Sequence, residues 1–179
     1  MGSIYPLHPL KLICAILYPT LLYLEESFSL LSDTFGPIDS VSASFPFDYS
    51  AYYESEMGMG LTKCFVSFKN LVNPEQLAEI KHTTNKCEEK LAQMSLRKVN
   101  FDPGALSLHN VILLTTKNYT HRIPLQKGIY AELTLMYTKG TFHFLPWTYP
   151  DYKTDLAIRF FEEARNRMGL SRNNRMCQS

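Results

Sequence analysis

The chain has 179 residues with 18 Lys plus Arg against 17 Asp plus Glu, a formal net charge of +1, so no global field draws it to nucleic acid or an anionic membrane. Hydrophobic residues at 45% and charged residues at 20% exclude disorder, collagen and coiled coil. The four cysteines, Cys14, Cys64, Cys87 and Cys177, form no C-x-x-C pair and have no His at zinc-ligand spacing, which predicts free thiols in a reducing cytoplasm.

The length suits a single domain, placed at residues 10–169 between an N-terminal extension (1–9) and a flexible C-terminal tail (170–179). Leu10 to Leu24 is mostly apolar but is broken by Lys11 and Pro19. It falls short of the ~20 apolar residues that span a bilayer, and no small-residue cleavage pattern follows. Leu12–Tyr18 therefore reads as a strand buried on both faces. Leu21, Leu24, Phe28, Leu31 and Phe35 recur at helical spacing until Gly36-Pro37 stops them.

Ile38 to Tyr49 alternates loosely and reads as an outer strand. Asp48 to Gly60, dense in Tyr, acid and Gly, reads as a functional loop or short helix. A strand follows over Lys63–Phe68. Asn73-Pro74-Glu75-Gln76 spells a helix start with a capping box and Pro at the first helical position, and Leu77, Ile80, Thr84, Cys87, Leu91 and Met94 form its buried stripe. Lys98–Asp102 reads as a short strand ended by a type II turn at Pro103-Gly104.

The order so far, β-α-β-β-α-β, is that of a ferredoxin-like core, giving an α+β fold with an antiparallel sheet. A C-terminal β-meander follows, with strands over 110–116, 121–125, 129–137 and 141–145. A final helix capped by Thr154 buries Ala157, Phe160, Phe161, Ala164 and Met168.

A loop at 126–128 pairs Ile123 with Ala131, Arg122 with Glu132 and His121 with Leu133. A two-residue turn at Lys139-Gly140 pairs Tyr137 with Phe142 and Leu135 with Phe144. Strict alternation then puts Ile123, Leu125, Ala131, Leu133, Leu135, Tyr137, Phe142 and Phe144 on one face, with His121 at its end. Arg122, Tyr130, Glu132, Thr134, Met136 and His143 fall on the other. Pro124 removes a ladder donor, so its strand belongs at an edge or a bulge.

Most candidate site residues have an ordinary structural reading beside the functional one. Arg122–Glu132 reads as a cross-strand ion pair, worth ~0.2–1 kcal/mol if exposed. His121 reads as a core histidine bonded to a backbone carbonyl, or as an acid/base. Asn100 and Asp102 share one strand face and hold a ligand hydroxyl or a metal at its end, unless Asp102 caps the following turn. Asp48, Glu54 and Glu56 beside Tyr49, Tyr52 and Tyr53 read as a solvated amphipathic segment, or as a group that binds a metal or other cation. Trp147 packs over the core edge or stacks on a ligand. Gly58-Met-Gly-Leu-Thr-Lys63 fails as a phosphate loop, because two residues separate Gly60 from Lys63 and a strand follows.

The segments Phe35–Asp39, Phe45–Tyr49, Tyr52–Gly58, Val99–Gly104, Thr115–Ile123, Lys127–Glu132 and Leu145–Tyr152 together resemble a prokaryotic family known as domain of unknown function 4416. The likeness runs from about Leu10 to Gly169. It implies no activity, since the family has none established. The function therefore rests on the residues: a small cytoplasmic enzyme or ligand-binding protein for a phosphorylated or otherwise anionic metabolite or nucleotide. Lys117, His121 and Arg122 would contact the anion. Asp102, Glu132 and His121 are the acid/base candidates. Asn100 adds a ligand contact, Asp48, Tyr53 and Glu56 close over the site, and Trp147 or Tyr149 stacks on it. The alternative is a non-catalytic module binding protein or RNA through an open sheet and aromatic loops, although Glu132 would oppose a phosphate backbone. The cofactor, any metal dependence and the oligomeric state are left open.

Overall fold

The computed structural model describes residues 2–3 and 5–176, with side chains of the last helix described as far as Met168. Its centre is β1 (Leu10–Tyr18), which lies between two other strands and is buried along nearly all its length. That position explains its unbroken apolar run, because both pleat faces need a covering layer. Leu12, Cys14, Ile16 and Tyr18 point into one core, while Ile13 and Ala15 point into the other.

The first core is covered by α1 (Leu21–Phe35) and α3 (Leu77–Lys90) through Leu24, Leu31, Leu77, Ile80 and Cys87. Gly36, in a positive-φ conformation (94°), ends α1 where a side chain would be strained. Asn73 and Gln76 form the expected capping box ahead of α3, with Pro74 in the first turn. The second core lies under α4 (Asp155–Met176), capped by Thr154, whose Oγ1 accepts from the Ala157 N–H at 3.2 Å. Phe160, Phe161 and Met168 are buried there, each worth roughly 1.5–3 kcal/mol of burial, enough to hold the helix against the sheet. The helix runs past the point where a frayed tail was expected, and residues 177–179, including Cys177, lie outside the described residues. Cys14, Cys64 and Cys87 are buried free thiols. Among the described residues no helix is long and apolar enough to cross a membrane.

The architecture is α+β, and among the described residues nine strands form one antiparallel sheet. The remaining strands are β2 (Ile38–Val41), β3 (Phe45–Pro46), β4 (Thr62–Val72), β5 (Asn100–Leu106), β6 (Asn110–Thr115), β7 (Arg122–Pro124), β8 (Tyr130–Thr138) and β9 (Thr141–Phe144). Their order is β2-β4-β1-β5-β6-β8-β7, with β3 also on β4 and β9 also on β8. The expected outer strand over 38–49 is the pair β2 and β3. The acid- and tyrosine-rich segment folds as a 3-10 turn (Ala51–Tyr53) and a single helical turn, α2 (Glu54–Met57). Met57 and Leu61 pin it to Leu17 of β1. Pro124 lies in the edge strand β7, as its missing donor requires.

Three expectations are corrected. Pro103-Gly104 is not a turn: β5 runs through it, pairing Pro103 with Cys14 and Gly104 with Ile13. The ladder to β6 begins only at Gly104, so the proline has no β6 residue paired opposite it. Gly104 is there for close approach, since a Cβ would run into the carbonyl oxygen of Ile112. Met94 is not in the buried stripe. The helix ends at Lys90, and Met94 (φ 51°) and Ser95 (φ 63°) form the tip of a tight bridge between Gln93 and Leu96, leaving Met94 96% exposed.

The third correction concerns the meander faces. Both hairpin registers are as expected, including Arg122 opposite Glu132 and Tyr137 opposite Phe142, and Lys139 and Gly140 adopt the positive φ of a two-residue turn. Between the hairpins, however, β8 carries a bulge: Ile112 pairs with Leu133 but Val111 with Leu135. The extra residue, Thr134, reverses the alternation. Glu132 pairs with Leu113 and Leu135 with Val111, and both partners belong to the α4-side core. Glu132 and Thr134 are consequently buried, whereas Ile123 and Leu125 are exposed; Phe144 lies opposite Leu135 but is exposed because its strand, β9, is paired only with β8 among the described residues.

Candidate functional site

A cleft of about 730 Å³ opens at the end of the sheet where β4, β5 and β8 begin and β6 ends. Its walls are the segment around Tyr52 and Tyr53, the turn from Tyr149 to Tyr152, and the polar side of α3 with Lys81, Asn85 and Glu88. The volume is that of a small-molecule site.

Lys63 and Asp151 form its base. Lys63 Nζ lies 2.6 Å from Asp151 Oδ2 and 3.9 Å from Asp102 Oδ2, with Lys63 and Asp151 almost wholly buried. The rings of Phe47, Phe65 and Tyr152 surround the ammonium at 5.1–5.9 Å. Asp102 keeps 34% of its side chain exposed. It lies in mid-strand, so there is no turn for it to cap, and Asn100 shares its face as expected. The nearby carboxylate contributes to the environment of Tyr53 and Tyr152, whose hydroxyls are held well above their ordinary range first by burial and then by Asp102. Tyr149 is raised by burial and then by Glu132. The three phenols remain neutral donors at physiological pH.

On the meander side, Glu132 Oε2 accepts from Arg122 Nε at 2.8 Å and lies 3.1 Å from His121 Nε2. Arg122 also donates to Lys117 O and Tyr149 Oη. The cross-strand pair is as expected, and it is buried, so the small value of an exposed pair does not apply. Among the described residues His121 bonds no backbone carbonyl. It holds Glu132 and stacks on Trp147, with ring centroids 4.9 Å apart, and neither ring lines the cleft. The bulge explains the Leu145-Pro-Trp-Thr segment: Trp147 Nε1 donates to Leu133 O at 2.7 Å, and Thr148 Oγ1 to Thr134 O at 2.6 Å. Those are the carbonyls of the bulged residues. Packing is therefore what Trp147 does. Lys117 Nζ lies over the Tyr52 ring at 4.3 Å and faces the cleft.

The α3 wall carries two buried charged groups. Lys81 Nζ donates to Phe101 O at 3.0 Å, and among the described residues no carboxylate pairs with it. Glu88 accepts from the Phe101 N–H at 2.7 Å and lies 3.7 Å from Arg97 Nη1. Burial lifts the Glu88 carboxyl to about 7, against an opposing pull from Lys81. Arg97 is fixed by Glu56, Asn100 and the Tyr53 ring, so Glu56 acts on the wall through Arg97.

The Glu88 shift has a defined sign. A carboxyl raised in the folded state stabilises the fold below its ordinary value of 4.5 and loses that contribution as pH rises through 7. Glu88→Gln keeps an acceptor for Phe101 without the titration. Between pH 4 and 8 the parent is expected to lose about 3 kcal/mol of unfolding free energy relative to the variant. Urea titrations at the two pH values check this; parallel pH profiles would refute it.

Of the residues singled out from sequence, Asn100, Asp102, Lys117, Arg122, Glu132, Tyr53 and Tyr149 line this cleft. His121 and Glu56 support it from behind, Trp147 serves the bulge, and Asp48 is exposed and outside it. The sequence reading missed Lys63, Lys81, Glu88, Arg97 and Asp151. Lys81, Asn85 and Glu88 recur at helical spacing beside the apolar stripe, which was the available signal. Nothing local distinguishes Arg97 or Asp151.

Among the described residues, the buried side-chain polar atoms without a hydrogen-bond partner are Asn100 Nδ2, Glu132 Oε1 and Tyr152 Oη. All three residues line the cleft. Such groups are rare in native interiors, where each costs about 1–3 kcal/mol. Also among the described residues, no group of three His, Cys, Asp or Glu is placed to hold a metal ion.

Comparison with known proteins agrees with the sequence likeness. The family model described as "Domain of unknown function (DUF4416)" matches residues 8–168, and the chain belongs to this family. No curated protein and no solved structure matches it.

Proposed function

We propose that this member of the DUF4416 family is a small cytoplasmic enzyme or ligand-binding protein of prokaryotic type, acting on a phosphorylated or otherwise anionic metabolite or nucleotide. The observation that carries the proposal is the cleft itself, where unpartnered buried polar atoms meet cations with unspent donors. Lys117 and Lys81 supply the anion contacts. All three guanidinium nitrogens of Arg122 already hold Glu132, Lys117 O and Tyr149, so Arg122 shapes the site and adds positive potential. Asp102, partly exposed over the cleft floor, serves as general base. Glu88, titrating near 7, is a second proton-transfer group in the range where a side chain both takes and gives a proton.

Helices on both faces of the sheet weigh against the alternative of an open-sheet protein- or RNA-binding module. The ferredoxin-like reading is supported for the first half by the order β2-β4-β1-β5 and its antiparallel pairings. β6 to β9 then extend the sheet beyond the four strands of that form.

Thermal shift of the purified chain against inorganic phosphate, nucleotides and sugar phosphates tests the proposal. A ligand at 100 times its Kd adds about 2.7 kcal/mol, which raises Tm by roughly 5–10 °C for a chain of this size. Lys81→Met and Lys117→Met should each reduce the rise. No shift with any anion removes the proposal.

A further inference from the structure

We infer that the ligand is a phosphorylated polyol or sugar, in which a phosphoryl group is joined to several hydroxyls; this rests on the anionic-ligand reading above. The cleft leaves several hydrogen-bonding groups unpaired. Glu132 Oε1 is buried, without a hydrogen bond, and accepts only. Asp102 likewise accepts only, and the cation paired with it among the described residues, Lys63, is 3.9 Å away and already engaged at 2.6 Å by Asp151. Asn100 Nδ2 is a buried donor without a partner, because the Asn100 Oδ1 accepts from Arg97 Nη1 at 2.8 Å.

The unmet demand is therefore two acceptors and one donor, flanked by the ammonium groups of Lys81 and Lys117. A bare phosphate answers the lysines and Asn100 but brings no hydrogen to Glu132 or Asp102, and it is repelled by both. A simple amine answers the carboxylates and leaves the lysines unmet. Hydroxyls donate and accept at once, so a run of them satisfies Glu132, Asp102 and Asn100 together while an attached phosphoryl group meets the lysines. Tyr152 Oη, also unpartnered, adds a group able to bond either way. A cleft of about 730 Å³ holds such a molecule with room beyond a single phosphate.

Isothermal titration of the full chain with inorganic phosphate, phosphoethanolamine, glycerol 3-phosphate, ribose 5-phosphate and glucose 6-phosphate tests this. At least one of the last three is expected to bind tenfold or more tightly than inorganic phosphate. Glu132→Leu, which leaves no group for a hydroxyl to bond, should abolish that advantage and leave phosphate binding undiminished. Because Glu132 is buried in an ion pair, Asp102→Ala, at a partly exposed position, provides the same reading should the first variant fail to fold. The inference is overturned if phosphate or phosphoethanolamine binds as tightly as the hydroxylated probes, or if the advantage survives Asp102→Ala. In those cases the anionic-ligand reading still stands; it fails together with this inference only if none of the phosphates binds.

Discussion

Replacing Lys63 by Met is expected to destabilise the chain by about 3–5 kcal/mol, the range for breaking a buried ion pair from one side. Methionine is close in length and apolar, so the cage of Phe47, Phe65 and Tyr152 stays filled and cavity formation contributes little. What remains is Asp151, only 2% exposed, with its cation gone. The loss bears on the site, because this pair ties the turn before α4 to the start of β4. Lys63→Met with Asp151→Leu should recover most of the stability, since an apolar pair of similar volume is often as stable as a buried ionic one. Equilibrium urea unfolding of the parent, the single and the double variant measures both effects. A single-variant cost below about 1 kcal/mol would mean that the pair is dispensable.

The second large effect is expected at Arg122. Arg122→Met removes the cation bonded to Glu132, which has only His121 left on its Oε2 and no partner on Oε1. A buried carboxylate stripped of its cation ionises only at a cost, so the destabilisation should grow with pH and reach about 3–5 kcal/mol in alkaline solution. Arg122→Met with Glu132→Gln should lose that pH dependence. The Tyr149 hydroxyl also loses its donor, so ligand binding should weaken in both variants even where stability is restored. Unfolding titrations across pH 5 to 9 separate the charge effect from the packing effect. A pH-independent loss that the second substitution does not alter would show that Arg122 acts through packing alone.

Both effects lie at residues whose role was only half visible in sequence. Arg122 opposite Glu132 followed from the loop at 126–128, because hairpin register is a local property of turn length. Their burial did not follow, since it depends on the bulge at Thr134, and a bulge leaves no mark in an alternating stretch such as Tyr130 to Thr138. Lys63 was noticed only as part of a failed phosphate loop. Its partner Asp151 lies 88 residues away, and no local pattern connects them. Pro103-Gly104 misled for the opposite reason: the pair carries a strong local turn signal, but the close approach of β6 to Gly104 overrides it.

The sequence by itself determined most of the elements and the burial of the first strand on both faces. The buried character of β1, the capping box ahead of α3, the Thr154 cap, the apolar stripe of α4 and the two meander hairpins all arise from interactions within a few residues or from the period of apolar side chains. Tertiary structure alone decided which polar residues meet. The cleft gathers Lys63, Lys81, Glu88, Asp102, Glu132 and Asp151 from β4, α3, β5, β8 and the turn before α4. Their chemistry comes from burial and from partners distant in sequence, as when desolvation lifts Glu88 to about 7. Hydrogen-bond and charge pairing across a sheet end depends on how strands are ordered and bulged, and that is fixed by packing of the whole chain.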